Sequence, residues 1–276
     1  MPQHPSVALT RFAGRAGDRN DRAMVASAVL ADELAARLGV EPVVVGTPEP
    51  PLGAHWAAEL AAARPALEAM AARYAEVLAA GRRPVTALSR CAVALATLPA
   101  VAEHRPGTVV LWFDAHGDVH TPATTGTGYL GGLALSGPIG LWDSGLGAGL
   151  PAADAVLVGA RDLDPAERAL VADGTVRLLG PGADLPGRLA EAVAGRPVYV
   201  HLDCDVLAPD EVPTEYRVPG GLTLADLGAA AEVLARGEVV GLEAGEIEAT
   251  GDPVQDAAHA RALADALQPL LDAVAR

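Results

Sequence analysis

Short apolar runs recur along the whole chain with longer helical stretches between them: SVALT (6–10), PVVVG (42–46), PVTAL (84–88), TVVLWF (108–113), AVLVGA (155–160), VRLLG (176–180), PVYVHL (197–202) and VVGLE (239–243). A strand with one face in water alternates apolar and polar residues. These runs are apolar almost throughout, so both of their faces must be covered. Eight such strands alternating with helices predict an α/β three-layer sandwich around a mostly parallel eight-stranded sheet. Segments rich in Ala, Leu, Glu and Arg at 23–38, 56–80, 223–236 and 255–275 read as the clearest amphipathic helices, and the proline-rich VGTPEPPLGAH at 45–55 reads as a loop.

The chain has 276 residues, 51% of them hydrophobic, which is enough for one large core, and no linker, low-complexity tract or internal repeat divides it. A single domain over 1–276 is expected. The formal net charge of -15 disfavours nucleic acid and anionic membrane surfaces as partners, since either needs a basic face, and favours small cations, organic or metallic. No apolar run approaches the roughly 20 residues that cross a bilayer, and the start of the chain lacks the order of a signal peptide, so a cytoplasmic location is expected. In that compartment the two cysteines, Cys91 and Cys204, are expected to stay unbridged.

In parallel sheets ligands sit beyond the carboxyl ends of the strands, and there this chain concentrates its acids. LWFDAHGDVH (111–120) runs from an apolar strand into Asp114, His116, Asp118 and His120, and YVHLDCDVLAP (199–209) ends another strand in Asp203 and Asp205. If the strands stay extended, a spacing of two puts Asp114, His116 and Asp118 on one side and does the same for Asp203 and Asp205, while Cys204 faces the other way into plain core. Taken alone, DAHGD also reads as a solvated acidic turn. Two such clusters at neighbouring strand ends repel one another unless a divalent metal neutralises them. Oxygen ligands with imidazole favour Mn²⁺, Fe²⁺ or a similar ion, and shared carboxylates allow a two-metal site that readies a water for attack. GLEAGEIEA adds Glu243, Glu246 and Glu248, and GARDLDPAE adds Asp162, Asp164 and Glu167. Singly, each reads as a solvated loop or a helix N-terminal charge; as a set they can surround a cation.

These motifs resemble those of the ureohydrolase family, which includes arginase and agmatinase. DAHGD is similar to its DAHxD motif, LDCDVLAP to DxDxxDP, GARDLDPAE to GxRDxDPxE, and GLEAGEIE to its late acidic motif, over roughly residues 84–250. The resemblance implies an arginase-like fold and Mn²⁺-dependent hydrolysis of a guanidino-type C–N bond. It also implies that Asp114 and Asp203 bridge two Mn²⁺ ions, with His116 and Asp205 completing one site and Asp118 serving the other. Asp118 would orient the attacking hydroxide and Glu246 would hold the guanidinium. Thr127, Asp164 and Glu167 fall where arginase orients the amino-acid end of its substrate, and His120 stands where arginase has an asparagine with that task. His120 is also a candidate proton donor, against its reading as a hydrogen-bonded loop histidine.

The departures narrow the reading. Cys91, in LSRCAVALATL, aligns with the histidine expected at the first metal. Thiolate suits Mn²⁺ poorly, so one or two ions are expected, with the first site weak, empty or filled by another metal. In TGTGYLGG, Gly131 replaces the family's proton-shuttle histidine, which makes plain arginine a poor substrate. Ala208 replaces an aspartate, and GEIEA replaces the usual ending in Asn-Pro. Together these resemble a hydroxyarginine-hydrolysing subgroup of antibiotic biosynthesis. The first expectation is therefore Nω-hydroxy-L-arginine hydrolysed to hydroxyurea and L-ornithine. The alternative is ordinary arginase, agmatinase or guanidinobutyrase activity releasing urea, and outside the enzymes a metal-free binding protein. The resemblance leaves the oligomeric state open between monomer and homo-oligomer.

Overall fold

The computed structural model describes residues 6–276. All eight apolar runs form strands: β1 Val7–Phe12, β2 Val43–Val45, β3 Arg83–Ala87, β4 Val109–Phe113, β5 Ala155–Val158, β6 Arg177–Leu179, β7 Val198–Asp203 and β8 Val239–Gly245. They make one sheet in the order β2-β1-β3-β8-β7-β4-β5-β6. Every neighbouring pair is parallel, so the mostly parallel sheet of the sequence reading is parallel throughout. All carboxyl ends therefore open on one edge, which is what gathers chemistry from distant parts of the chain.

The four amphipathic segments form α1 Arg22–Leu38, α2 Trp56–Ala79, α6 Leu224–Leu234 and α7 Pro253–Ala275. Their ends follow from local chemistry. Gly39 closes α1 in the left-handed conformation, Thr223 and Asp226 form a capping box at the start of α6, and Asp252 caps α7 ahead of Pro253. Three helices were not legible as amphipathic: α3 Ala94–His104, α4 Pro165–Ala172 and α5 Leu185–Val193. Residues Ala94 to Val101 of α3 are all buried, so no polar face marks its period. The other two are short.

The pleat sorts the core into two layers. Val109, Leu111, Phe113, Val200 and Leu202 face α1, α5, α6 and α7, while Val110, Trp112 and Tyr199 face α2 and α3. Asp114 and Asp203 continue the second parity, so the acids emerge on the α2/α3 side of the sheet edge.

Candidate metal centre and active site

Four adjacent central strands, β3, β8, β7 and β4, deliver the site. Cys91 opens a short 3-10 turn, Cys91–Val93, soon after β3. Glu246 follows β8, Asp203 ends β7, and Asp114 follows β4. The backbone does not stay extended past these ends, which corrects the simple alternation expected for residues 114–118. Asp118 is brought round by a turn in the left-handed region, φ 52°, and its carbonyl accepts the Leu135 and Ser136 N–H groups. Gly117 makes the turn possible: a Cβ there would lie 2.8 Å from Glu167 Oε1 and 3.0 Å from Leu163 Cδ2. Asp205 likewise sits in a 3-10 turn, Cys204–Val206, with its N–H donating to Asp203 Oδ1 at 2.8 Å. Cys204 is buried in the opposite layer, as expected.

Glu246 is also left-handed, at φ 63°. Among the described residues the only other non-glycine with positive φ is Ala194, at the end of α5, so this strain concentrates at the site.

Potential ligand atoms converge in three groups, each within 4.8 Å: Cys91, Asp114 and Asp118; Cys91, Asp203 and Glu246; and Asp114, His116 and Asp205. Buried acids at this density need a cation. Around His116 the chain supplies a partial one. Its Nδ1 lies 3.2 Å from Asp114 Oδ1 and 3.1 Å from Asp205 Oδ2. Burial alone would lower the imidazole pKa, but the two carboxylates outweigh it and raise it. In return, and against its own burial, His116 draws Asp114 below the usual carboxylate range. Asp205, pushed up by burial and by Asp114, sits at about 6. The other end has no such relief. Burial and neighbouring carboxylates drive Asp118 and Asp203 well above the ordinary range, and burial with Asp203 does the same to the Cys91 thiol. A divalent ion bound here would favour the ionised forms of Asp118, Asp203 and Cys91 and so oppose their upward shifts.

Beside this lies a second acid cluster organised by a cation of the chain's own. Arg90, fully buried, donates to Asp18 Oδ1 (3.0 Å), Glu246 Oε2 (2.6 Å) and Glu248 Oε1 (3.3 Å), with Glu215 at 3.1 Å. Glu248 also pairs with Arg22 at 2.7 Å. The acids after β8, Glu246 and Glu248, thus do meet a cation, the chain's own Arg90, while Glu246 also belongs to one of the three ligand groups. Glu246 keeps its other oxygen on the Cys91 N–H, 2.9 Å away, which ties the two clusters together.

Beneath the acids runs a buried polar row of which the sequence reading singled out only Glu243. Trp112, His201 and Glu243 are register neighbours on β4, β7 and β8. The Trp112 and His201 rings stack at 3.5 Å, and Trp112 Nε1 donates to Asp114 Oδ2 at 2.9 Å. His201 Nδ1 lies 2.7 Å from Glu243 Oε1 and its Nε2 lies 3.1 Å from Cys91 Sγ. Tyr199 and Tyr74 complete the row through Glu243 and Thr86. The available signal was parity: His201 and Trp112 each stand two residues before a candidate aspartate.

A cavity of about 240 Å³ opens over the acids, and Thr127, His120, Asp164 and Glu167 lie in its wall. Glu167 accepts the Asp164 N–H at 3.0 Å and the Val119 N–H at 3.3 Å, so these acids both cap α4 and face the cavity. His120 has both ring nitrogens engaged, Nε2 3.0 Å from Asp164 Oδ2 and Nδ1 3.2 Å from Thr124 Oγ1, which is the hydrogen-bonded loop arrangement. The same wall carries Tyr129, Tyr216 and Gly131. The Tyr129 ring fills the space where a side chain at 131 would begin: a Cβ on Gly131 would meet ring carbons Cζ at 3.0 Å and Cδ1 at 3.1 Å.

Comparison with known proteins gives the family and the fold. The sequence model of the arginase family matches residues 44–268. The chain is 40% identical to the N(omega)-hydroxy-L-arginine amidinohydrolase of Streptomyces lavendulae, over 95% of this chain and 96% of that one. It is 30% identical to the arginase of Bacillus caldovelox over 66% of each. The crystal structure of that arginase superposes with a TM-score of 0.83 at 24% identity, covering 96% of this chain and 98% of the other.

Proposed function

The chain belongs to the arginase family and is an amidinohydrolase of guanidino-type C–N bonds; from that premise we propose that its substrate is Nω-hydroxy-L-arginine, cleaved to hydroxyurea and L-ornithine. The observation that carries this choice is the pairing of near full-length likeness to a hydroxyarginine hydrolase with a wall in which Gly131 has no room for a proton-donating side chain. N-hydroxylation withdraws electrons from the guanidine. The central carbon then accepts a nucleophile more readily and depends less on such a donor.

The donor set fits Mn²⁺. Asp114, His116, Asp203 and Asp205 would hold one ion, and Cys91 and Asp118, with Asp114 and Asp203, would hold the other. The buried thiol makes that second set the weaker. When bound, the metal supplies a water acidified to near neutral pH and charge stabilisation for the developing tetrahedral carbon. The chain's own residues do the rest. Asp118, fixed in its strained turn, orients the attacking oxygen. Glu246, kept in place by Arg90 and the Cys91 N–H, receives the planar cation. Thr127, Asp164, Glu167 and His120 line the wall where the α-amino and carboxylate groups bind, and the acids there draw in a positively charged substrate. The oxygen of water adds to the carbon, the bond to Nδ breaks, and a proton passes to the departing amine of ornithine.

The test is a panel of Nω-hydroxy-L-arginine, L-arginine, agmatine and 4-guanidinobutyrate with Mn²⁺-loaded protein, read as hydroxyurea and urea. Higher kcat/KM for the hydroxylated substrate is expected. Faster turnover of any plain guanidine would overturn the assignment in favour of an ordinary ureohydrolase.

A further inference from the structure

A wall without a shuttle side chain must recognise the N-hydroxyl group through another residue, and Tyr129 is placed for it. The Tyr129 hydroxyl oxygen is buried and has no hydrogen-bond partner. Among the described residues it is the only such atom whose residue lines the candidate cavity. Its ring is held on three sides. Gly131 lies against it, the Arg19 guanidinium sits 4.6 Å from its centroid, and the Tyr216 ring is 6.2 Å away. Tyr216 in turn stands edge-on to His116 at 5.2 Å, which connects this aromatic wall to the candidate metal ligands. Burial, with the nearby Glu246 charge, keeps the phenol protonated and so a donor.

A buried hydroxyl without a partner costs stability, and a phenylalanine would fill the same volume without that cost. Something outside the chain must complete it. We infer that Tyr129 is a specificity-determining residue whose hydroxyl donates a hydrogen bond to the N-hydroxyl oxygen of the substrate. This rests on the substrate reading above. L-Arginine has no oxygen there and leaves the phenol unpaired in a desolvated pocket, the situation in which a polar site rejects an analogue most strongly. The Gly131 and Tyr129 pair therefore acts as one unit: the glycine makes the volume and the tyrosine fills it with a fixed donor.

Tyr129→Phe keeps the ring and removes only the hydroxyl. Steady-state kinetics of wild type and variant, both loaded with Mn²⁺, give the ratio of kcat/KM for Nω-hydroxy-L-arginine over L-arginine. The ratio should fall by about tenfold or more in the variant, with a thermal midpoint at or above that of wild type. Should the variant fold poorly, Gly131→Ala drives a methyl into the Tyr129 ring and should lower the same ratio. A wild type that prefers the hydroxylated substrate while Tyr129→Phe holds the ratio within about twofold would overturn the inference and leave the substrate reading standing. A wild type that turns over plain arginine faster removes the substrate reading itself, and the role of Tyr129 with it.

Discussion

The two acid clusters at this sheet edge are built from the same residue type and solve their repulsion in opposite ways. Around Arg90, the acids Asp18, Glu215, Glu246 and Glu248 all meet one buried guanidinium, with Arg22 on Glu248 and Arg19 near Glu215 adding positive charge from the chain itself. Burial would lower the Arg90 pKa, yet the surrounding carboxylates raise it instead. Around Cys91, the acids Asp114, Asp118, Asp203 and Asp205 share only His116, and most of them retain protons well above the ordinary range. A cluster of acids therefore does not by itself mark a metal site. What marks one is a cluster whose charge no side chain of the protein balances. The pair also divides the labour: one cluster fixes Glu246 in place, and the other is left open to an ion.

The sharpest way to break this contrast is Arg90→Met. Removing the internal cation strands buried carboxylates, and the cost should be about 3–5 kcal/mol in chemical denaturation, with or without Mn²⁺. A loss that Mn²⁺ fully repairs would mean that the two clusters are one electrostatic unit.

Proton linkage comes next. Asp18, pushed up by burial to about 6 from its ordinary 3.8, binds protons more tightly folded than unfolded. Its stabilisation is complete below about pH 3.8 and is lost as pH rises through about 6. Asp205 has the same sign and window. Chelator-treated protein should therefore lose up to about 3 kcal/mol per group between these limits, and Asp18→Asn should flatten part of the fall. A stability that rises over that window in the metal-free protein would reject the assignment.

Metal itself should act on one cluster only. At a hundredfold excess over its dissociation constant, Mn²⁺ should raise wild-type stability by about 2.7 kcal/mol. Asp118→Asn removes a carboxyl whose neutral form burial and the neighbouring acids favour in the metal-free state, and keeps a residue that tolerates a left-handed backbone. Chelated Asp118→Asn should match chelated wild type within about 1 kcal/mol, yet gain less from Mn²⁺ and lose hydrolysis. The smallest effect is expected of Cys91→His, which should raise the Mn²⁺ content per chain in elemental analysis; an unchanged content would show that the thiol is not what limits the first site.

The eight strands were legible because a strand buried on both faces must be apolar from end to end; each run proved to be a strand, although edge position leaves Val43 and Val44 of β2 and Arg177 of β6 exposed. Asp114, His116, Asp203 and Asp205 were legible because acids cannot follow a buried strand without compensation. Asp118 reaches the site differently from the extended strand that alternation implies: a left-handed turn carries it in. Arg90, Tyr129 and His201 stood inside quoted motifs without being recognised. Their partners lie far along the chain, Arg90 with Glu246 and His201 with Cys91, and pairing at such separations leaves no local pattern.

By itself, then, the sequence determined the class of sheet and the edge where the uncompensated acids gather, because hydrophobic periodicity and local charge are properties a short stretch of chain carries. Only the tertiary structure decided which acids face an arginine and which are left for a metal, and that the Tyr129 ring takes the space beside Gly131. Those outcomes depend on which strand ends become neighbours, and a parallel sheet settles that through crossovers far longer than any motif.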